Sequence, residues 1–148
     1  MELSRESQKF LTNAGWNTTR HVNIASYLER LQAEGYKINH FAEEFLAQFG
    51  GLELFQPAYR VKYEYDKLHF NPLSTCDNIY KEQVENYEER VGDSLVVVGE
   101  AHNGYLVLMI SEKGKVYGAY DNYLTLLGND YFEALDSLFL CKETPEVI

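Results

Sequence analysis

The histidines and cysteines of this 148-residue chain are too scattered to predict a metal site. Cys76 and Cys141 lie far apart in the chain and form no Cys-x-x-Cys pair. The four histidines are also dispersed, at His21, His40, His69 and His102. Zinc sites need several such ligands, most of them at short spacings. We therefore expect neither a metal nor a cofactor, and unpaired cysteines in a chain of this size favour a reducing compartment.

Cys76 and His69 are the pair that invites a catalytic interpretation, because a histidine next to a cysteine can activate it as a nucleophile. A buried structural cysteine is the more frequent role of such a residue. The chain contains neither a Gly-x-Ser-x-Gly motif nor a Walker-type phosphate loop. The sequence therefore predicts a protein that is not an enzyme. A small hydrolase that uses a carboxylate pair, or Cys76 with His69, stays open as an alternative.

Acidic residues outnumber basic ones by a wide margin. The chain has 23 Asp and Glu against 13 Lys and Arg, a formal net charge of −10. Residues 75–148 contain 14 of the acidic residues and only 5 of the basic ones. An anionic surface repels phosphate backbones and anionic lipid, so we expect neither nucleic acid nor a membrane as partner. The same surface favours a basic protein partner.

A helix predicted over residues 78–90 carries much of this negative charge. Its apolar residues repeat at helical spacing along one stripe and are Tyr80, Val84, Tyr87 and Val91. On the opposite stripe lie Glu82, Glu85 and Glu89, which repel one another at these spacings. Such a stripe attracts a cationic partner and speeds its association. An ordinary solvated helix face has the same pattern, so that alternative stays open.

Aromatic residues are a second indication of a binding surface. The chain has 8 Phe, 12 Tyr and 1 Trp, and tyrosine is enriched at protein interfaces because its rigid ring packs while its hydroxyl stays polar. We expect some strand tyrosines to line an open face of a sheet, with residues at the edge of the core as the alternative. The candidate partner-binding residues are Glu64, Asp66, Asp77, Glu82, Glu85, Glu88, Glu89, Asp93, Tyr63, Tyr65, Tyr117, Tyr120 and Asp121.

Helical spacing dominates the first third of the chain. Ser4 is placed to begin a first helix, which ends at Gly15. A second helix ends at Gly35, and a third begins at Asn39 and ends at Gly50. Glycine commonly follows helices because it takes the left-handed conformation at little cost.

From Leu52 onward the pattern predicts a sheet. The predicted strands are residues 52–55, 59–65, 68–70, 95–101, 105–111, 115–121 and 123–127. Asn103-Gly104 predicts a hairpin, because both residues accept positive φ. A last helix covers residues 130–140. These elements predict a single α+β domain over residues 1–148. Its antiparallel-rich sheet, with a C-terminal meander, is flanked by N-terminal helices, one mid-chain helix and a C-terminal helix.

The sequence shows no pattern of a leader or a membrane span. Its first residues lack the basic and apolar regions of a signal peptide. The longest unbroken apolar run, residues 106–110, is far below the roughly 20 residues that cross a bilayer. We therefore expect a cytoplasmic location.

Several short motifs, taken in their order and spacing, resemble those of a known family. They are Gly15-Trp16-x-x-x-Arg20, Gly35-Tyr36, residues 45–52, Val98-Gly99, and residues 106–110, 114–117, 126–128 and 133–135. Over residues 14–140 the chain resembles the SUKH superfamily, most closely its third subfamily of bacterial immunity proteins.

The resemblance implies an α+β fold with a mixed-order sheet and no enzymatic activity. Members of the family neutralise toxins of polymorphic toxin systems, commonly nucleases, by binding them directly. We therefore expect an immunity protein whose partner is a cognate toxin, a basic nuclease domain in particular. The superfamily also contains interaction hubs, so a regulatory module with a partner other than a toxin stays open. The resemblance transfers scaffold residues but no contact residues, and the oligomeric state is not predicted.

Overall fold

The computed structural model describes residues 3–57 and 65–148, which form six helices and one six-stranded sheet. The helices are α1 (Arg5–Asn13), α2 (Ala25–Ala33), α3 (His40–Phe49), α4 (Pro72–Asn78), α5 (Lys81–Val91) and α6 (Tyr131–Phe139). The strands are β1 (Glu53–Pro57), β2 (Tyr65–His69), β3 (Leu95–Ala101), β4 (Leu106–Ser111), β5 (Val116–Tyr120) and β6 (Tyr123–Gly128). This arrangement confirms the α+β prediction. Of the strand predicted at residues 59–65, only Tyr65 lies within the described ranges.

The first and third helices begin at the residues that the sequence predicts. The Ser4 side chain accepts a hydrogen bond from the backbone N–H of Ser7, and Asn39 accepts one from Ala42. Because the first N–H groups of a helix have no partner inside it, these side chains stabilise the helix start. Gly15 follows α1 at φ +110°, the conformation that favours glycine after a helix.

The six strands lie side by side in chain order, and every neighbouring pair is antiparallel. The mixed-order sheet implied by the resemblance is therefore wrong for the described residues. Although α4 and α5 separate β2 from β3 in the chain, β3 returns to lie directly beside β2. Gly99 makes this approach possible, since a Cβ there would collide with the backbone carbonyl of His69.

The two central strands are covered on both faces. Val96 and Val97 point to opposite sides of β3, and both are fully buried. Helix α4 packs against β3, while α3 packs against β3 and β4. Every residue of β4 is buried as well. Both faces of these two central strands are therefore closed to solvent.

The helix predicted over residues 78–90 is confirmed as α5, and the helix before it, α4, was not predicted. Pro72 occupies the first turn of α4, and the Asn71 side chain accepts a hydrogen bond from Leu73 to begin it. No helix is predicted from the sequence between the strand at residues 68–70 and residue 78. Proline at the first position of a helix is the signal that would have identified α4.

The Asn103-Gly104 hairpin between β3 and β4 is confirmed. Asn103 has φ +59° and Gly104 has φ +94°, the positive values on which the prediction depends. The side-chain oxygen of Asn103 also accepts a hydrogen bond of 2.9 Å from the backbone N–H of Lys67. The turn is thereby attached to β2 as well as joining β3 to β4.

Candidate partner-binding surface

Helix α5 is held in place by its apolar side and by two hydrogen bonds to the β5–β6 turn. Val84 and Tyr87 are buried, as the predicted apolar stripe requires, whereas Tyr80 precedes the helix and is exposed. The Tyr87 hydroxyl donates to the backbone carbonyl of Asp121 at 2.6 Å. Arg90 donates to the carbonyl of Asn122 at 2.9 Å. These contacts leave Glu82, Glu85 and Glu89, on the opposite side of α5, exposed to solvent.

Five of the predicted carboxylates border one shallow, open depression of about 620 Å³ along α5. We call this group the α5 acidic surface, and it consists of Glu82, Glu85, Glu88, Glu89 and Asp93. Glu82, Glu85 and Glu89 are exposed and form no ion pair with any residue in the described ranges. Their negative charges therefore face solvent without a local cation, and they repel one another along the helix.

Glu88 and Asp93 also have structural roles. Glu88 forms an ion pair with Lys81 at 3.2 Å and accepts a hydrogen bond of 2.8 Å from the backbone N–H of Leu95. Asp93 accepts hydrogen bonds from the backbone N–H groups of Ser94 and Lys113, at 2.9 and 3.2 Å. These two carboxylates position the start of β3, so they contribute charge to the surface but are less available to a partner.

Asp77 and Asp66 lie outside the α5 acidic surface. Asp77 forms an ion pair with Arg30 at 2.9 Å, which ties α4 to α2. Asp66 lies on β2, where its carboxylate contacts His102 Nδ1 at 3.3 Å and accepts a longer hydrogen bond from Asn103 at 3.5 Å. The structure therefore assigns both residues local partners, which the sequence pattern could not show.

The predicted tyrosines divide into exposed and buried residues. Tyr65 is 64% exposed and Tyr120 is 49% exposed, so both rings are available at the surface. Tyr117 is only 7% exposed, and burial raises the pKa of its hydroxyl. We therefore remove Tyr117 from the candidate contacts, because a buried ring offers little surface to a partner. Tyr63 and Glu64 lie outside the described residues.

Exposed tyrosines gather at one end of the sheet. Strands β2 and β4 begin at this end and β5 ends there, which places Tyr65, Tyr105 and Tyr120 at the same edge. Tyr105 is 76% exposed and is absent from the predicted set. Its position directly after the Asn103-Gly104 turn was the signal available in the sequence, because a residue that follows a tight hairpin often projects from the end of the sheet.

His69 and Cys76 do not form the pair that a cysteine hydrolase requires. His69 is hydrogen-bonded to Glu100 at 2.8 Å and to the backbone N–H of Asn71 at 3.1 Å, so both ring nitrogens are occupied. Burial raises the pKa of the Cys76 thiol to about 11, which leaves little thiolate at neutral pH. The arrangement gives this pair neither a histidine base nor an activated sulfur.

Residues 3–57 and 65–148 lack the features of two other classes of protein. No group of three or more His, Cys, Asp or Glu side chains gathers there as a metal site would require. None of the helices in these ranges combines the length and the hydropathy of a membrane span.

Comparison with protein-family models identifies the chain through most of its length. The model of the SUKH-3 immunity protein family matches residues 3–140. The chain belongs to the SUKH-3 immunity protein family. Membership supports an immunity-protein role and implies binding to a cognate toxin. Searches of curated proteins and of solved structures found no match.

The family-like motifs of this SUKH-3 protein have structural roles. Arg20 donates to the backbone carbonyls of Gln48 and Gly50 at 2.7 and 2.9 Å, which satisfies acceptors at the end of α3. Trp16 stacks on Phe49 with ring centroids 5.9 Å apart. The Gly-Trp-x-x-x-Arg motif therefore fastens the segment after α1 to the end of α3 and has no part in the acidic surface.

Proposed function

We propose that this SUKH-3 protein neutralises its cognate toxin by binding it through the α5 acidic surface, and that the toxin is a basic nuclease domain. The observation that carries the proposal is the set of exposed carboxylates of Glu82, Glu85 and Glu89, which form no ion pair within the described ranges. A nuclease needs cationic groups that hold phosphate, and these groups are complementary to such a surface.

Electrostatic attraction supports rapid recognition. The carboxylates of the α5 acidic surface surround one depression, so their fields add at the same place. Screening limits this attraction to about 8 Å at physiological ionic strength, so it guides the last stage of the encounter. The main expected effect is a faster association rate, since exposed charge pairs add little to the final affinity.

Affinity then requires contacts that exclude water. Tyr120 precedes Asp121 in the β5–β6 turn, the turn to which Tyr87 and Arg90 attach α5. Its half-exposed ring packs against that of Tyr123 in a tilted arrangement, with centroids 5.2 Å apart, which restricts its motion. A rigid aromatic ring next to a charged surface is a typical anchor of protein interfaces. We therefore include Tyr120 and Asp121 in the proposed contact area.

The proposed mechanism is stoichiometric occupation of the toxin and involves no reaction. The occupied nitrogens of His69 and the raised pKa of the Cys76 thiol support this part of the proposal. Since a nuclease toxin attacks nucleic acid inside the cell, we place the immunity protein in the cytoplasm. Toxin activity is expected to fall linearly with added protein and to reach zero at an equimolar ratio.

Co-expression with the toxin domain tests the proposal. Cells that produce both proteins are expected to grow, and the two chains are expected to purify together. A catalytically inactive toxin serves as the binding control, because it keeps the interface and removes toxicity. Growth without a stable complex would contradict inhibition by direct binding. A complex with a different endogenous protein, and no protection, would favour the regulatory module.

A further inference from the structure

A second polar site shares no residue with the α5 acidic surface. It is a cavity of about 310 Å³ bordered by β1, β2, α4 and the β3–β4 turn. All of its lining residues are polar or glycine. Ligand pockets usually measure about 300 to 1,000 Å³, so this cavity matches one side chain or a small molecule.

Glu100 is the most deeply buried charged group in this cavity, with only 1% of its surface exposed. Its Oε1 accepts hydrogen bonds from His69 Nε2 at 2.8 Å and from Asn78 Nδ2 at 3.1 Å. Its Oε2 accepts one from the same Asn78 nitrogen at 3.2 Å. Within residues 3–57 and 65–148, Glu100 forms no ion pair with a lysine or an arginine. A buried carboxylate without a cationic partner is energetically costly.

The hydrogen bonds of His69 determine its charge. Its Nδ1 accepts a hydrogen bond from the backbone N–H of Asn71, and a nitrogen that accepts carries no proton. The proton of the neutral ring is therefore on Nε2, which donates it to Glu100. His69 thus orients the carboxylate without neutralising it, and the pair keeps a net negative charge.

Glu100 Oε2 has an unused acceptor position. A carboxylate offers about four such positions, and the described side chains use three of those of Glu100. Gly104 borders this oxygen, and a Cβ at Gly104 would lie 3.7 Å from it. Gly104 therefore places no side chain between this oxygen and the cavity that both residues line. Lys67, which also lines the cavity, is already paired with Glu53 at 3.4 Å.

We propose that this cavity receives the guanidinium group of an arginine side chain presented by a partner protein. A cation supplies the charge that Glu100 lacks, and an anion is excluded by the same carboxylate. A guanidinium has five N–H donors, so it can bind Oε2 and other acceptors of the cavity at once. Arginine is also enriched among the residues that dominate protein interfaces.

The surroundings of the cavity favour an arginine carried by a protein over a free small molecule. Tyr105 directly follows Gly104 in the chain and is exposed. Phe55 is paired with Lys67 across β1 and β2 and is exposed as well. Exposed aromatic rings beside a pocket are typical of protein-binding surfaces. The identity of the partner rests on the proposed function, whereas the chemistry of the cavity does not.

Titration of the isotope-labelled chain with capped arginine, N-acetyl-arginine-N-methylamide, tests the site by NMR. Saturable shifts are expected at the backbone amide of Gly104 and at the side-chain amide of Asn78, with a dissociation constant on the order of millimolar. Capped citrulline is the control ligand, because it has the same shape without the charge. Equal shifts with both ligands, or no saturable shift with capped arginine, would overturn the proposal.

Two matched variants locate the binding group. Glu100→Gln keeps the shape of the side chain but removes the charge of the acceptor. It is expected to lower the affinity for capped arginine by about tenfold or more. Glu53→Gln removes a more exposed carboxylate of the same cavity and is expected to change the affinity by less than about twofold. The reverse order of effects would overturn the assignment to Glu100. If Glu100→Gln does not fold, the comparison of capped arginine with capped citrulline on the unaltered chain decides whether the cavity binds a charged guanidinium.

Free arginine separates the two possible sources of the ligand. A site for a protein side chain is expected to bind capped arginine at least as well as free arginine, because only the guanidinium enters the cavity. Clearly tighter binding of free arginine would instead identify a small-molecule site and overturn the proposal. All these measurements use the immunity protein alone. A negative result in them therefore says nothing about toxin binding through α5, and a negative result for toxin binding says nothing about the cavity.

Discussion

Arg20 shows how a single residue of a family motif contributes to the fold. Its guanidinium satisfies two carbonyl acceptors, those of Gln48 and Gly50, where α3 ends. Partial burial lowers the pKa of this arginine, yet it stays charged at any physiological pH. A charged donor to buried or half-buried carbonyls makes stronger hydrogen bonds than a neutral one. The residue therefore supports the scaffold from which the binding surface is presented.

Replacement of Arg20 by methionine is expected to lower the free energy of unfolding by about 1.5 to 3 kcal/mol, because two carbonyls lose a charged donor. Arg5→Met is the matched control, since Arg5 is exposed, and we expect a change within about 0.5 kcal/mol. Urea denaturation measures both values. Equal stability of the two variants would contradict the role assigned to Arg20.

The two cysteines are expected to differ in reactivity. Cys76 is buried, and burial raises its thiol pKa to about 11, whereas Cys141 is only half-buried, although burial raises its thiol pKa as well. Since the thiolate is the reactive form, iodoacetamide at pH 8 is expected to modify Cys141 before Cys76 in the native chain. Mass spectrometry follows both sites. In urea the two rates are expected to become equal, and equal rates in the native chain would be contrary to this prediction.

At the level of elements, α1 and α6 are joined by one carboxylate. Asp136 on α6 accepts hydrogen bonds from the backbone N–H of Ser4 at 3.1 Å and from the Ser7 hydroxyl at 2.5 Å. Desolvation favours the protonated acid, but these hydrogen bonds and the charge of Lys142 outweigh it and lower the pKa of Asp136. The ionised form of Asp136 is therefore the one that stabilises the contact between the two helices.

A pH dependence follows from the lowered pKa of Asp136. The stabilisation is complete above the unfolded pKa of about 3.9 and is lost as the pH falls through the lower folded value. Ser7→Ala is expected to destabilise the protein at pH 7 and to approach the stability of the unaltered chain at about pH 2 to 3. Ser26→Ala, at an exposed position of α2, is the control. Urea denaturation at both pH values measures the difference, and a constant difference would contradict this explanation.

On the scale of the whole molecule, folding sorts the acidic residues into two groups. One group is paired with other residues of the chain, for example Asp77 with Arg30 and Asp136 with Ser7. The other group, which includes Glu82, Glu85 and Glu89, faces solvent without an ion pair in the described ranges. Folding therefore leaves Glu82, Glu85 and Glu89 together on one side of α5, with no cation paired to them in the described ranges.

Reversal of charge on α5 is expected to slow association with the toxin. The triple variant Glu82→Lys, Glu85→Lys, Glu89→Lys is expected to reduce the association rate about tenfold or more at low salt and far less at high salt. The control reverses three exposed glutamates elsewhere, Glu29, Glu43 and Glu143. It changes the net charge equally, so a similar loss in both variants would contradict a localised surface. Stopped-flow mixing or biosensor kinetics measures the rates.

Features that depend on neighbours in the chain were predictable from the sequence. Ser4 and Asn39 begin their helices through hydrogen bonds to residues three positions later, and Asn103-Gly104 forms its turn through its own backbone preferences. The acidic stripe of α5 follows from helical periodicity in the same way. The fold class, most element boundaries and the grouping of Glu82, Glu85 and Glu89 therefore come from local rules.

Only the tertiary structure decided which side chains are buried and which residues from distant parts of the chain contact one another. The ion pair of Asp77 with Arg30, the burial of Tyr117 and the burial of Glu100 beside His69 all involve residues distant in sequence. Burial and pairing arise where separate elements pack together, and periodicity within one element carries no information about that packing. The sequence by itself thus determined where negative charge lies along the chain. The packing of α4, α5 and the sheet decided which carboxylates reach solvent and that Glu100 is buried.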